Sequence, residues 1–131
     1  MTQLFVSQTA IQIDLRRART ALIEAELSPQ PSDRFLAAHL AALRVAAIVL
    51  ALRARPGRIG SRPRQAWSVL AEVAPEFAEW AAFFAATERK REAVRAGETT
   101  LVNAREADDL VRDAQTFLDV VERALSRSAR S

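Results

Sequence analysis

His39 is the only histidine in the chain, and it lies within the longest apolar run, where only His39 and Arg44 are polar between Phe35 and Leu52. Imidazole is the side chain best suited to proton transfer near neutral pH, so His39 is either a general acid–base group or a hydrogen-bonded core residue. Arg44 raises a sharper question, because a buried guanidinium without a carboxylate or carbonyls is costly. Asp108, Asp109 and Glu79 are the acids expected to meet it, and Asp108 or Asp109 is the expected neighbour of His39.

A second chemistry is suggested by residues 53–64, RARPGRIGSRPR, where Arg53, Arg55, Arg58, Arg62 and Arg64 stand with no acid among them. Arginine forks on a glycine-containing segment can grip phosphates, so these five form a candidate RNA- or nucleotide-binding set. The plainer use of the same residues is a solvated loop whose positive charge suits the C-terminal end of the preceding helix. The cluster Arg89, Lys90, Arg91 and Arg95 is interleaved with Glu88 and Glu92, which predicts an internally paired, solvated face.

Other chemistries are excluded by composition. The chain has no cysteine and one histidine, so neither a disulfide framework nor a Cys- or His-rich zinc site can be built, and no metal or cofactor is expected. A formal charge of +3, from 19 basic and 16 acidic residues, is too small to imply a partner by itself. The N-terminal residues lack an uninterrupted apolar stretch behind a basic start, which reads as a cytoplasmic protein without a signal peptide.

These residues need helices to position them. The pattern predicts one all-α domain over residues 1–131, a bundle of about five helices around a central Ala/Leu-rich one, with residues 1–6 and 126–131 frayed. The first helix should span residues 7–27 with Ile11, Leu15, Ala18, Leu22 and Ala25 inward. Prolines at 29 and 31 end it, and Ser32 is the expected cap of the central helix, which runs to Arg55. Within that helix Leu36, Leu40, Leu43, Ala47 and Leu50 fall on one narrow stripe and Val45, Val49 and Leu52 on the far side, so burial all round is expected. Its length also suits a membrane span, but the many alanines and Arg44 favour a core helix and no membrane. Ala42 and Ala46, beside His39, form a small-residue stripe that lets another helix approach, from the same chain or from a second subunit of a homodimer.

A short helix over 64–73 carries Trp67 and Leu70, and a fourth from Pro75 to Arg95 carries Phe77, Trp80, Ala81 and Phe84 on one side, ending at Gly97. Asn103 with Glu106 forms a capping box for the fifth helix. Its Ala107, Leu110, Val111, Ala114, Phe117, Leu118, Val121 and Leu125 repeat in steps of three and four.

Arg34, four intervening residues and His39 at the head of an alanine-rich helix resemble the arginine–histidine signature of HEPN domains. More specifically, RFLAAHLAALRVAAIVLALRARP, APEFAEWAAFFAA and AREADDLVRDAQTFLDVVERAL together resemble the actinobacterial SAV_6107-like HEPN family. The resemblance implies a helical bundle that often dimerises. In catalytic members it implies metal-independent endoribonuclease chemistry of the toxin or RNA-processing kind, with Arg34 on the scissile phosphate and His39 moving the proton. It also implies possible partners, an antitoxin or a nucleotidyltransferase. Five positions along a regular helix set Arg34 and His39 about 140° apart, and Phe35 follows the arginine where catalytic members carry a polar residue. The reading favoured is therefore a non-catalytic interaction module that binds a protein, a nucleotide or RNA.

Overall fold

The computed structural model describes residues 8–55 and 63–130, and within them every regular element is helical. Five α-helices follow in order: α1 (Gln8–Leu27), α2 (Pro31–Arg53), α3 (Pro63–Val73), α4 (Ala78–Arg95) and α5 (Ala104–Arg130). Short 3-10 turns, Pro75–Phe77 and Thr99–Leu101, precede α4 and α5. The all-α bundle read from the pattern is therefore the observed one.

The central position of α2 follows from composition: Phe35, Ala38, Ala41, Ala42, Val45, Ala46 and Val49 are all buried, against α1 on one side, α5 on another and α3 and α4 on a third. Small alanines along much of this surface let the neighbouring helices come close. α2 begins two residues earlier than the capping argument expects, with Gln30 rather than Ser32 as cap and Pro31 in the first turn, where its missing N–H costs nothing. It is long and apolar enough to cross a membrane by length and composition, with a mean hydropathy of 2.2, yet 56% of that window is buried inside the bundle.

The five inward positions expected of α1 are the five that are buried. In α5 the expected apolar series from Ala107 to Val121 is likewise buried, and the helix continues to Arg130, past Ser126 where fraying was expected. The Asn103 capping box forms in both directions. The Glu106 amide donates to Asn103 Oδ1 at 2.8 Å, and the Asn103 amide donates to Glu106 Oε1 at 3.2 Å. Gly97, at φ 111°, ends α4 as expected: its amide donates to the Val94 carbonyl and that of Glu98 to the Ala93 carbonyl, the paired bonds of a Schellman turn.

The outward side of α2 departs from expectation. Only Leu50 of the predicted stripe is buried; Leu40 is 49% exposed, Ala47 is exposed, and Leu36 and Leu43 are half-buried. Arg44 stands on this same outward side, exposed, so the expected buried ion pair with Asp108, Asp109 or Glu79 does not form. Four helices around a fifth leave one arc of it open when the neighbours are short or diverge, and hydrophobicity alone does not say which arc.

Candidate functional site

α2 presents Arg34 and His39 to different neighbours. Arg34, in the first turn, reaches back over the α1–α2 bend, where Nη1 donates to the Ser28 carbonyl at 2.7 Å and more weakly to that of Pro29 at 3.4 Å. Its Nε lies 3.1 Å from Asp108 Oδ1 on α5, close enough for an ion pair but too poorly aligned to count as a hydrogen bond. The guanidinium thereby satisfies carbonyls of the bend and fastens it to α5. Asp108 was expected beside His39 or Arg44; it serves Arg34 instead.

His39 is 0% exposed and faces α3 and α4. Its Nε2 lies 3.2 Å from the Phe84 carbonyl oxygen and 3.6 Å from Glu88 Oε2. A carbonyl can only accept, so Nε2 carries the proton and donates, and Nδ1 is left as a buried acceptor with no hydrogen-bond partner. The ring meets Trp67 and Phe84 edge-on, with centroids 6.1 and 6.0 Å apart. Ala42 and Ala46, the small residues beside it, are buried as well, so the close approach they permit is made within the chain.

Glu88 joins the group. It is only 4% exposed and accepts from Trp67 Nε1 at 3.1 Å and from Arg91 Nε at 3.0 Å. Burial pushes the His39 imidazole below its ordinary pKa, opposed by the Glu88 carboxylate and the Phe84 carbonyl and reinforced by Arg91. The ring is accordingly neutral at pH 7. Arg91 also pairs with Glu92, and Arg95 with Glu92, as expected of an internally paired face, whereas Lys90 pairs with Glu106 of α5 and Glu88 belongs to the core rather than to a solvated face.

Sequence reasoning passed over Glu88 because of its charged neighbours. The signal was its spacing, since Phe77, Ala81, Phe84 and Glu88 stand four, three and four residues apart and share one face of a helix. Trp67 was expected to be buried, but the need of its indole N–H for an acceptor was not followed through to a carboxylate.

Of the five loop arginines, Arg53 is already engaged: Nη1 lies 2.7 Å from Glu76 Oε2, with the Val73 carbonyl at 3.5 Å. Arg55 is exposed. Arg58 and Arg62 lie outside the described residues, and Arg64 is in the first turn of α3. Among the described residues no group of three or more His, Asp or Glu is placed to hold a metal ion.

The family model of SAV_6107-like HEPN proteins matches residues 25–122, three quarters of the chain, from the end of α1 through most of α5. The chain belongs to this HEPN family. No characterised protein and no solved structure matches it. The matched span contains Arg34, His39, Trp67, Glu88 and the arginine-rich segment, so all the chemistry described here lies inside the HEPN region.

Proposed function

We propose that this HEPN domain is a non-catalytic binding module whose ligand is an RNA or nucleotide phosphate held by the 53–64 segment, rather than an endoribonuclease. The observation that carries this reading is the burial of His39. A general acid–base group must come within hydrogen-bond reach of a substrate oxygen, and His39 is enclosed with its one proton given to the Phe84 carbonyl. Arg34 supports the same reading, because its guanidinium is turned toward the Ser28 carbonyl and Asp108, not toward the histidine. Buried and bonded, the pair holds helices together. Phosphate binding then falls to the arginines that have no acid nearby in sequence, Arg55, Arg58, Arg62 and Arg64, with Arg53 partly committed to Glu76.

The test is a cleavage assay on single-stranded RNA with EDTA present, comparing the unaltered protein with His39→Gln and Arg34→Ala variants whose folding is checked by circular dichroism. The expected result is no cleavage above that of the variants. Cleavage that resists EDTA and falls by about 10²–10⁴-fold in a folded His39→Gln protein would overturn the proposal in favour of a metal-independent endoribonuclease.

A further inference from the structure

Arg44 is the only arginine of α2 between Arg34 and Arg53, and it takes no part in the His39 network or in the 53–64 segment. It stands exposed at the seam with α1, where it and Arg17 together line two adjoining clefts of about 400 and 490 Å³. Both arginines border both clefts. In the first, the buried Ile11 and Ile48 are met by the exposed Ala47 and Ala51, whose small side chains leave room beside the Arg44 guanidinium. Arg16 and Thr20 line the second. The spacing on each helix supports this convergence, since Arg17 and Thr20 stand three residues apart on α1 and Arg44, Ala47 and Ala51 three and four apart on α2.

The seam gathers like charges and leaves them unanswered. Arg16, Arg17 and Arg44 form no ion pair among the described residues, although Asp14 and Glu24 line the same clefts. Arg19, two positions beyond Arg17 and on the α5 side of the helix, is by contrast taken up by both Asp119 and Glu122. A guanidinium presents its donors as a fixed fork, and two forks at one cleft match the several oxygens of a single phosphate group. The acids select the kind of phosphate. Asp14 borders the first cleft and Glu24 the second, so along α1 a carboxylate stands on either side of the arginine. A phosphodiester strand continuing along the seam would meet like charge at both ends, whereas a compact monoester, carrying about −1.5 to −2 at pH 7, concentrates its charge between them. We infer that the α1–α2 seam is a binding site for one phosphate monoester group, gripped by Arg17 and Arg44 with Arg16 and the Thr20 hydroxyl beside it, and separate from the 53–64 segment. Its ligand is a small phosphorylated molecule or a lipid headgroup that ends in such a phosphate.

The test titrates the full chain with inorganic phosphate at an ionic strength held constant with chloride, following backbone amides by two-dimensional NMR. Amides of residues 13–24 and 44–51 should shift saturably. Arg17→Gln and Arg44→Gln should each weaken the response by about tenfold or more, while Arg58→Ala with Arg62→Ala should leave it unchanged. Arg17 and Arg44 are exposed, so the variants should stay folded, and circular dichroism checks this. Dimethyl phosphate, a diester, should not move these amides in the unaltered protein but should do so in Asp14→Asn with Glu24→Gln. Vesicles identify the source of the phosphate. Retention by phosphatidic acid and not by phosphatidylcholine, lost in Arg44→Gln, assigns the site to a lipid headgroup; a saturable phosphate response without retention assigns it to a soluble ligand. Shifts that chloride alone reproduces, affinity indifferent to Arg17 and Arg44, an equal response to dimethyl phosphate in the unaltered protein, or shifts confined to residues 53–64 would overturn the inference. The probe carries neither base nor strand, so RNA cleavage, or a failure to bind RNA, refutes the proposed function alone.

Discussion

His39 illustrates how one residue can be conspicuous in sequence and still be occupied by structure. Its isolation in an apolar run was legible, as was the choice between catalysis and a satisfied core position, but the partner was not. The acids searched for on α5 lie on the wrong side of α2, and the group that decides the matter, Glu88, sat within a run of charges that usually marks a solvated face. Arg44 shows the converse error, a charge in the middle of an apolar run that reaches solvent because the run is not covered all round. The buried imidazole has a measurable consequence. Its folded-state pKa is lowered, chiefly by burial, so in the unfolded chain it takes up a proton near its ordinary value of about 6.5 while the folded chain resists. Stability from this source is complete above that pH and is lost as the pH falls below it. Thermal melts between pH 7.5 and 5 should therefore show a steeper decline for the unaltered protein than for His39→Gln. Parallel curves would mean that the ring is protonated as readily inside the fold as outside.

At the scale of elements, the helices whose neighbours lie all on one side were read most closely. α1 and α5 each bury a stripe repeating in steps of three and four, and their inward residues follow from periodicity alone. α2 could not be resolved in that way, because apolar residues on every side give periodicity nothing to distinguish. Turn chemistry was legible where a backbone requirement fixed the residue, as at Gly97 and Asn103, and less so at prolines. Pro31 begins α2 and demotes Ser32 from its expected capping role, while Pro75 opens a 3-10 turn instead of α4 itself. The Asn103–Glu106 box can be tested directly. It closes the free amides of the helix that packs most extensively on α2, and Glu106 also bonds Lys90 of α4, which together with Asn103 holds the carboxyl below the usual carboxylate range. Asn103→Ala should lower stability by about 1 kcal/mol, a drop of about 4 °C in Tm, and Asn103→Asp should recover most of it. No change in the melt of the alanine variant would show that α5 is held by packing without help from its cap.

For the molecule as a whole, the arrangement of charge matters more than the formal total of +3. On the helices, several arginines are neutralised in place: Arg19 by Asp119 and Glu122, Arg34 by Asp108, Arg91 by Glu88, Arg112 by Asp109. The stretch from Arg55 to Arg64 has no acid in sequence to do the same, so positive charge is concentrated where α2 hands over to α3. If four arginines there meet phosphates, each releases condensed counterions, and for a single strand the logarithm of affinity should fall with the logarithm of salt at a slope of about −0.7 per contact, near −3 in all. Fluorescence anisotropy with a labelled single-stranded RNA from 50 to 300 mM salt measures this slope. Replacing Arg58 and Arg62 with alanine should reduce it by about 1.4, while the same change at Arg112, already paired with Asp109, should leave it where it was. Binding that is indifferent to salt, or to Arg58 and Arg62, would place the ligand elsewhere on the domain, and an absence of binding at the lowest salt would remove RNA as the ligand.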